Sequence, residues 1–269
     1  ARESYLKALE LLNENDHLEK AAVYNDRAMM NWRLGRFENM NDDIEAQMEE
    51  IRTDEREAFL QEYDELDIFA EPVREDTSVG TAFAELENRF EDENLRDIAR
   101  VLGKVGVIPN AYNNRGLWAL ELFRYDEAAA CFKKAHVLRK LHHGVAPVVA
   151  YGWMNFGKLF AIQAFNKQAL ECYRKAYDIF AAKLKETHLL CGEMKNIEGN
   201  ILQKLGDEDE AKACYKVALT IAGDKLGKRS MAAAVTHNNV GILCMCHNDR
   251  ERAMENFTLA ENLYAEHLE

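Results

Sequence analysis

From residue 111 onward, apolar and small residues recur at three- and four-residue intervals, the spacing of one face of an α-helix. Between paired helices the runs break at Phe123–Asp126, Ala164–Asn166, Leu205–Asp207 and His247–Asp249. Each break is short, so the pattern predicts helix, tight turn, helix, four times over. A glycine sits in each first helix (Gly116, Gly157, Gly199, Gly241) and an alanine in each second (Ala128, Ala169, Ala211, Ala253), always 12 residues apart, and the units repeat at 41 or 42 residues. An aromatic follows each alanine by four residues (Phe132, Tyr173, Tyr215, Phe257) and a second alanine by seven (Ala135, Ala176, Ala218, Ala260). Offsets of four and seven share a helix face, so small residues and rings are expected to interlock between paired antiparallel helices. Asp or Asn at the breaks is expected to cap the second helices, and Gly206 to close a first one.

The signature residues in Leu205-Gly206-Asp207-Glu208-Asp209-Glu210-Ala211 and Arg124-Tyr125-Asp126-Glu127-Ala128 resemble the tetratricopeptide repeat family. The period here is longer than that family's common one, about 34 residues. Asp224-Lys225-Leu226-Gly227-Lys228 leading into Thr236-His237-Asn238-Asn239-Val240-Gly241 looks like the kinesin-light-chain style of unit. The resemblance implies an all-α fold, a right-handed α-solenoid of antiparallel helix pairs whose concave face is lined by the first helices. It covers residues 111–265 firmly and 1–50 weakly.

Residues 1–50 hold weaker copies. Ala28, Leu34-Gly35-Arg36-Phe37, Met40 and Ile44 occupy the expected positions, and Ser4–Glu10 reads as a second helix whose partner is missing. That reading favours a piece of a longer array. Residues 51–110 break the rhythm and read as an acidic helical segment, either a diverged repeat or an insertion; the 88 residues from Ala28 to Gly116, about two periods, favour a repeat in register. Residues 41–100 carry a net charge of −15, whereas the remainder of the chain carries +2. A near-neutral body without a basic stripe argues against nucleic acid. Within residues 60–75, Glu62–Phe69 mixes acids with apolar anchors. It reads as a solvated face or as a segment that docks on a basic partner or folds back into the groove.

Function is sought in polar first-helix positions that the core does not need. Two and three residues before each glycine stand Asn113 and Asn114, Asn155, Asn196, and Asn238 and Asn239; one residue after come Lys158 and Asn200 in two of the units. Asn is a mediocre helix former, so its recurrence in mid-helix calls for a cause. A carboxamide both donates and accepts, which suits the backbone of an extended peptide. The resemblance implies the same role, with nearby Lys or Arg selecting acidic side chains. A plainer reading has these amides bonding neighbouring helices and serving only to hold the stack.

No catalytic residue, cofactor or metal is expected. Gly223–Ser230 lacks the spacing of a phosphate loop, and no hydrolase, metalloprotease or dinucleotide fingerprint occurs. Cys244, Cys246 and His247 point in different directions around one helix, so they cannot converge on a zinc ion. The six cysteines lie in apolar helical contexts and read as buried free thiols of a reducing, cytoplasmic compartment. No apolar run reaches membrane-spanning length. The leading expectation is a non-enzymatic scaffold binding another protein's peptide or helix in its groove, with self-association through the array ends possible. The alternative is a sensor segment that controls a catalytic or DNA-binding domain outside this chain.

Overall fold

The computed structural model describes residues 2–13, 16–53 and 106–268. The acidic stretch, including residues 60–75, lies outside the described residues apart from its ends. The described chain forms two units. In Ala1–Gly144 the helices are α1 (Arg2–Glu10), α2 (His17–Arg33), α3 (Phe37–Thr53), α4 (Val107–Glu121) and α5 (Tyr125–His143). In Val145–Glu269 they are α6 (Pro147–Ile162), α7 (Asn166–Leu184), α8 (Leu189–Leu205), α9 (Glu208–Leu226), α10 (Met231–Cys246) and α11 (Arg250–Leu268). Among the described residues no strand occurs, and the fold is the all-α solenoid type, helix pairs stacked on helix pairs.

What fixes each pair is the glycine facing the ring. A Cβ at Gly116, Gly199 or Gly241 would lie 2.6 Å from the ring of Phe132, Tyr215 or Phe257, and one at Gly157 would lie 2.7 Å from Tyr173. Only hydrogen fits there. The alanines of the pattern, Ala128, Ala169, Ala211 and Ala253, are fully buried beside these contacts. Phe132, Tyr173 and Tyr215 are buried in this way and each contributes roughly 1.5–3 kcal/mol of hydrophobic stabilisation, whereas Phe257 is half-buried. Tyr215 is pinned further, because its hydroxyl donates towards Asn200 Oδ1 at 2.8 Å and reaches Gln203 Oε1 at 3.2 Å.

The turn inside each pair has one geometry. Seven residues after the glycine position the backbone takes positive φ, at Gly35, Phe123, Ala164, Gly206 and Asn248. The following residue then donates its N–H to a carbonyl five residues back, as in Arg124 to Ala119, Phe165 to Phe160 and Asp207 to Leu202, each 2.9 Å. This closes the orphan carbonyls of the first helix in the manner of a Schellman motif. Phe123 and Ala164 hold that conformation without glycine's freedom, at a cost of about 1 kcal/mol each. Of the expected acidic caps, Asp249 accepts the Arg252 N–H at 3.3 Å. Asp207 stands at the cap position of α9 without a side-chain cap bond.

In the first unit α2 and α3 pack directly against α4 and α5. Ala21, Met48 and Ile51 share a core with Ile108, Ala111 and Tyr112, and Trp118 Nε1 donates to Asn41 Oδ1 at 2.6 Å. The two hairpins thus share one core within this unit.

The cysteines divide. Cys131, Cys172, Cys191 and Cys214 are buried free thiols, and burial pushes Cys214 up to about 11, out of the reactive range. Cys244 is half-buried and Cys246 exposed, against the expectation that all six are core residues; both fall in the last turn of α10, where Cys246 Sγ accepts from Gln203 Nε2 of α8 at 3.6 Å. No helix among the described residues is long and apolar enough to cross a membrane.

Candidate functional site: the amide faces of the first helices

In the second unit α6, α8 and α10 are the first helices. Their equivalent faces carry Asn155 and Lys158 on α6, Asn196 and Asn200 on α8, and Asn238 and Asn239 on α10, all half-buried. The structure brings three of these together. Asn239 Nδ2 donates to Asn196 Oδ1 at 3.2 Å, joining α10 to α8, and Asn200 lies one turn beyond Asn196, accepting from Tyr215. Asn238 makes no side-chain hydrogen bond among the described residues, so its donor and acceptor face outward unspent. Along the same face of α10, Val235, Ile242 and Met245 stand 41%, 43% and 50% exposed. Amides and apolar side chains thus share one open surface.

The first unit holds its amides differently. Asn114 is buried, and its Nδ2 donates to Asn25 Oδ1 on α2 at 2.6 Å. Asn113 Oδ1 accepts from Arg139 Nη1 at 3.1 Å, and Arg139 Nη2 donates to Asn110 Oδ1 at 2.9 Å. Burial lowers the pKa of Arg139 to about 10. Asn114 is therefore committed to holding α4 against α2. Asn25, Asn110 and Arg139 were missed by the sequence reading. Asn25 was findable, since it precedes Ala28 by three residues just as Asn113, Asn196 and Asn238 precede their glycines. Arg139 gave no signal, being a basic residue near a helix end like many solvated ones.

Nearby cations are less free than a solvated surface would leave them. Arg115 Nε donates to Glu127 at 3.0 Å, and Lys195 Nζ donates to Glu198 at 2.7 Å while lying over the Tyr177 ring at 4.2 Å. Glu198 is the hub of this region. It is 3% exposed and also accepts from Arg174 Nε at 2.6 Å. Burial alone pushes its carboxyl up, but the hydrogen bonds from Lys195 and Arg174 overcome this and hold it below the usual carboxylate range. No group of three metal-ligating side chains converges among the described residues. His247 instead meets Glu208 at 2.8 Å.

Comparison with known proteins bears on this arrangement. Residues 110–147 and 193–225 each match a family model described as tetratricopeptide repeat. No curated protein matches the sequence. Among solved structures, BtubC (BKLC) from P. vanneervenii is similar with a TM-score of 0.54 at 16% identity, over 93% of this chain and 92% of that one. Aspartyl phosphate phosphatase F from Bacillus subtilis is similar with a TM-score of 0.56 at 16% identity, over 95% of this chain and 66% of that one. At such identities the likeness is one of fold. The glycine-and-ring register, the two matched repeats and the shared fold all support tetratricopeptide repeats within this chain, in a long form with a period of 41–42 residues.

Proposed function

We propose that this chain is a protein-interaction module that takes an extended peptide of a partner protein along the first-helix face of α6, α8 and α10, and that it catalyses nothing itself. One observation carries the reading: on α10 the unspent amide of Asn238 and the half-buried Asn239 lie on the same face as exposed Val235, Ile242 and Met245. Carboxamides hold a peptide backbone whatever its sequence, and apolar side chains beside them accept alternate residues of an extended chain. Asn155 and Asn200 extend the amide row onto α6 and α8. The Asn196–Asn239 bond sets the row's spacing, so holding the stack and receiving a ligand are compatible duties. That one structural neighbour is a phosphatase has no bearing here, since only the fold is shared.

The test is quantitative capture from a cell extract with wild type and with Asn155/Asn238/Asn239→Ala, both checked for equal helicity and melting temperature. Recovery of the partner is expected to fall at least about tenfold in the variant, about 1.4 kcal/mol or more. Equal recovery from both rejects the amide face.

A further inference from the structure

A second surface, away from the amide face, lies where one helix pair meets the next. At equivalent offsets the α7/α8 and α9/α10 junctions are built from different charges. Five residues after the repeat alanine stand Arg174 in α7 and Lys216 in α9; one residue before the glycine stand Glu198 in α8 and Val240 in α10. In the first junction Glu198 fills the space between the helices and accepts from both Arg174 and Lys195. In the second its place is taken by Val240. A cavity of about 500 Å³ opens there. Leu219, Ala233 and Val240 form its apolar wall, and Lys212, Lys216, Lys228 and His237 its polar rim, with no carboxylate among its lining residues.

Other equivalent positions move the same way. Where the first junction has Leu170, Asp178 and Glu186, the second has Lys212, Thr220 and Lys228. Lys216 and Lys228 have no ion-pair partner among the described residues, and Lys212 reaches only the exposed Asp209 at 3.6 Å. Like charges gathered around a recess without a counter-ion raise the local potential and attract an anion.

We infer that the α9/α10 junction is a docking site for an acidic peptide segment of a partner protein, whose glutamate enters the recess as Glu198 does one junction earlier. The side chain's methylenes lie on Leu219, Ala233 and Val240, and its carboxylate meets Lys216 and Lys228. A second glutamate two residues along an extended peptide lies about 6.6 Å away. Lys212 is one helical turn from Lys216, about 6 Å, and so matches it. The volume holds such a pair of side chains within the usual range of ligand sites, about 300–1,000 Å³. The site uses none of the proposed peptide-face residues, so either can fail alone.

The probe is a fluorescently labelled, amidated pentapeptide Gly-Glu-Ala-Glu-Gly, titrated with the whole chain by anisotropy at about 0.15 M salt. Saturable binding is expected, weakened at least about tenfold for the Gly-Gln-Ala-Gln-Gly peptide and for the chain variants Val240→Glu and Lys216/Lys228→Ala. Val240→Glu supplies a resident carboxylate, and the exposed lysine pair changes the charge without touching the core, so one variant remains informative should the other fold poorly. Binding of the probe backbone at the amide face is independent of sequence and so equal for the glutamate and glutamine peptides, which separates that face from this site. The inference is overturned by any of four results: no binding to wild type, equal binding of the glutamine peptide, undiminished binding to a folded Val240→Glu or Lys216/Lys228→Ala chain, or displacement by inorganic phosphate at the concentration of the peptide, which marks a general anion site.

Discussion

The α7/α8 and α9/α10 junctions share a register and differ in one decisive side chain. Glu198, buried and bonded to two cations, makes the first a closed interface; Val240 leaves the second open, and α9 packs on α10 less extensively than α7 on α8. Their entries differ too: the turn into α8 passes through Lys185 at a φ of 79°, whereas the turn into α10 uses Gly227 at 85°. The closed junction thus tolerates a left-handed lysine, while the open one relieves that strain with glycine. Repeats in one register can therefore divide labour, one junction for cohesion and, on the inference above, the next for recognition, by exchanging a carboxylate for an isopropyl group.

The comparison breaks most sharply at Glu198. Glu198→Val leaves Lys195 without its carboxylate and Arg174 with only Glu210, at 3.3 Å. Removing one member of a buried pair costs about 3–5 kcal/mol, and the partial exposure of both cations brings the expected loss to about 3 kcal/mol, read by denaturant unfolding. A smaller contrast lies within the helix pairs. Gly199→Ala drives a Cβ into a Tyr215 ring that is buried and held by two hydrogen bonds, and about 2 kcal/mol is expected to be lost. Gly241→Ala meets the half-buried Phe257, which has room to move, and about 1 kcal/mol is expected, as a difference in melting temperature between the two variants.

The frame was legible because it rests on steric necessity. Gly116, Gly157, Gly199 and Gly241 admit no side chain against their rings, so the constraint is written as residue type at fixed spacing. The turns were half legible. Gly35 and Gly206 announce positive φ, but Phe123, Ala164 and Asn248 reach it under tertiary pressure, which leaves no mark in composition. The amide row was visible as repeated mid-helix asparagine, yet which amides lie open was not: Asn113 and Asn238 both stand three residues before their glycines, and only packing shows one accepting from Arg139 and the other unspent. Glu198 was the least legible. One residue before a repeat glycine its counterparts are Arg115, Phe156 and Val240, so no periodicity singles it out, and its importance comes from Arg174, 24 residues away.

The most direct test of the claim that this single carboxylate separates the two junctions is the free energy of unfolding followed from pH 7 into acid for wild type, Glu198→Gln and Val240→Glu. In the folded chain Glu198 is held below its ordinary value of 4.5. Its contribution is therefore complete above that value and disappears as pH falls through the lower folded one. Glu198→Gln is predicted to lose less stability than wild type on acidification, and Val240→Glu, with a second carboxylate among Lys212, Lys216 and Lys228, to lose more. Three parallel curves would contradict the account.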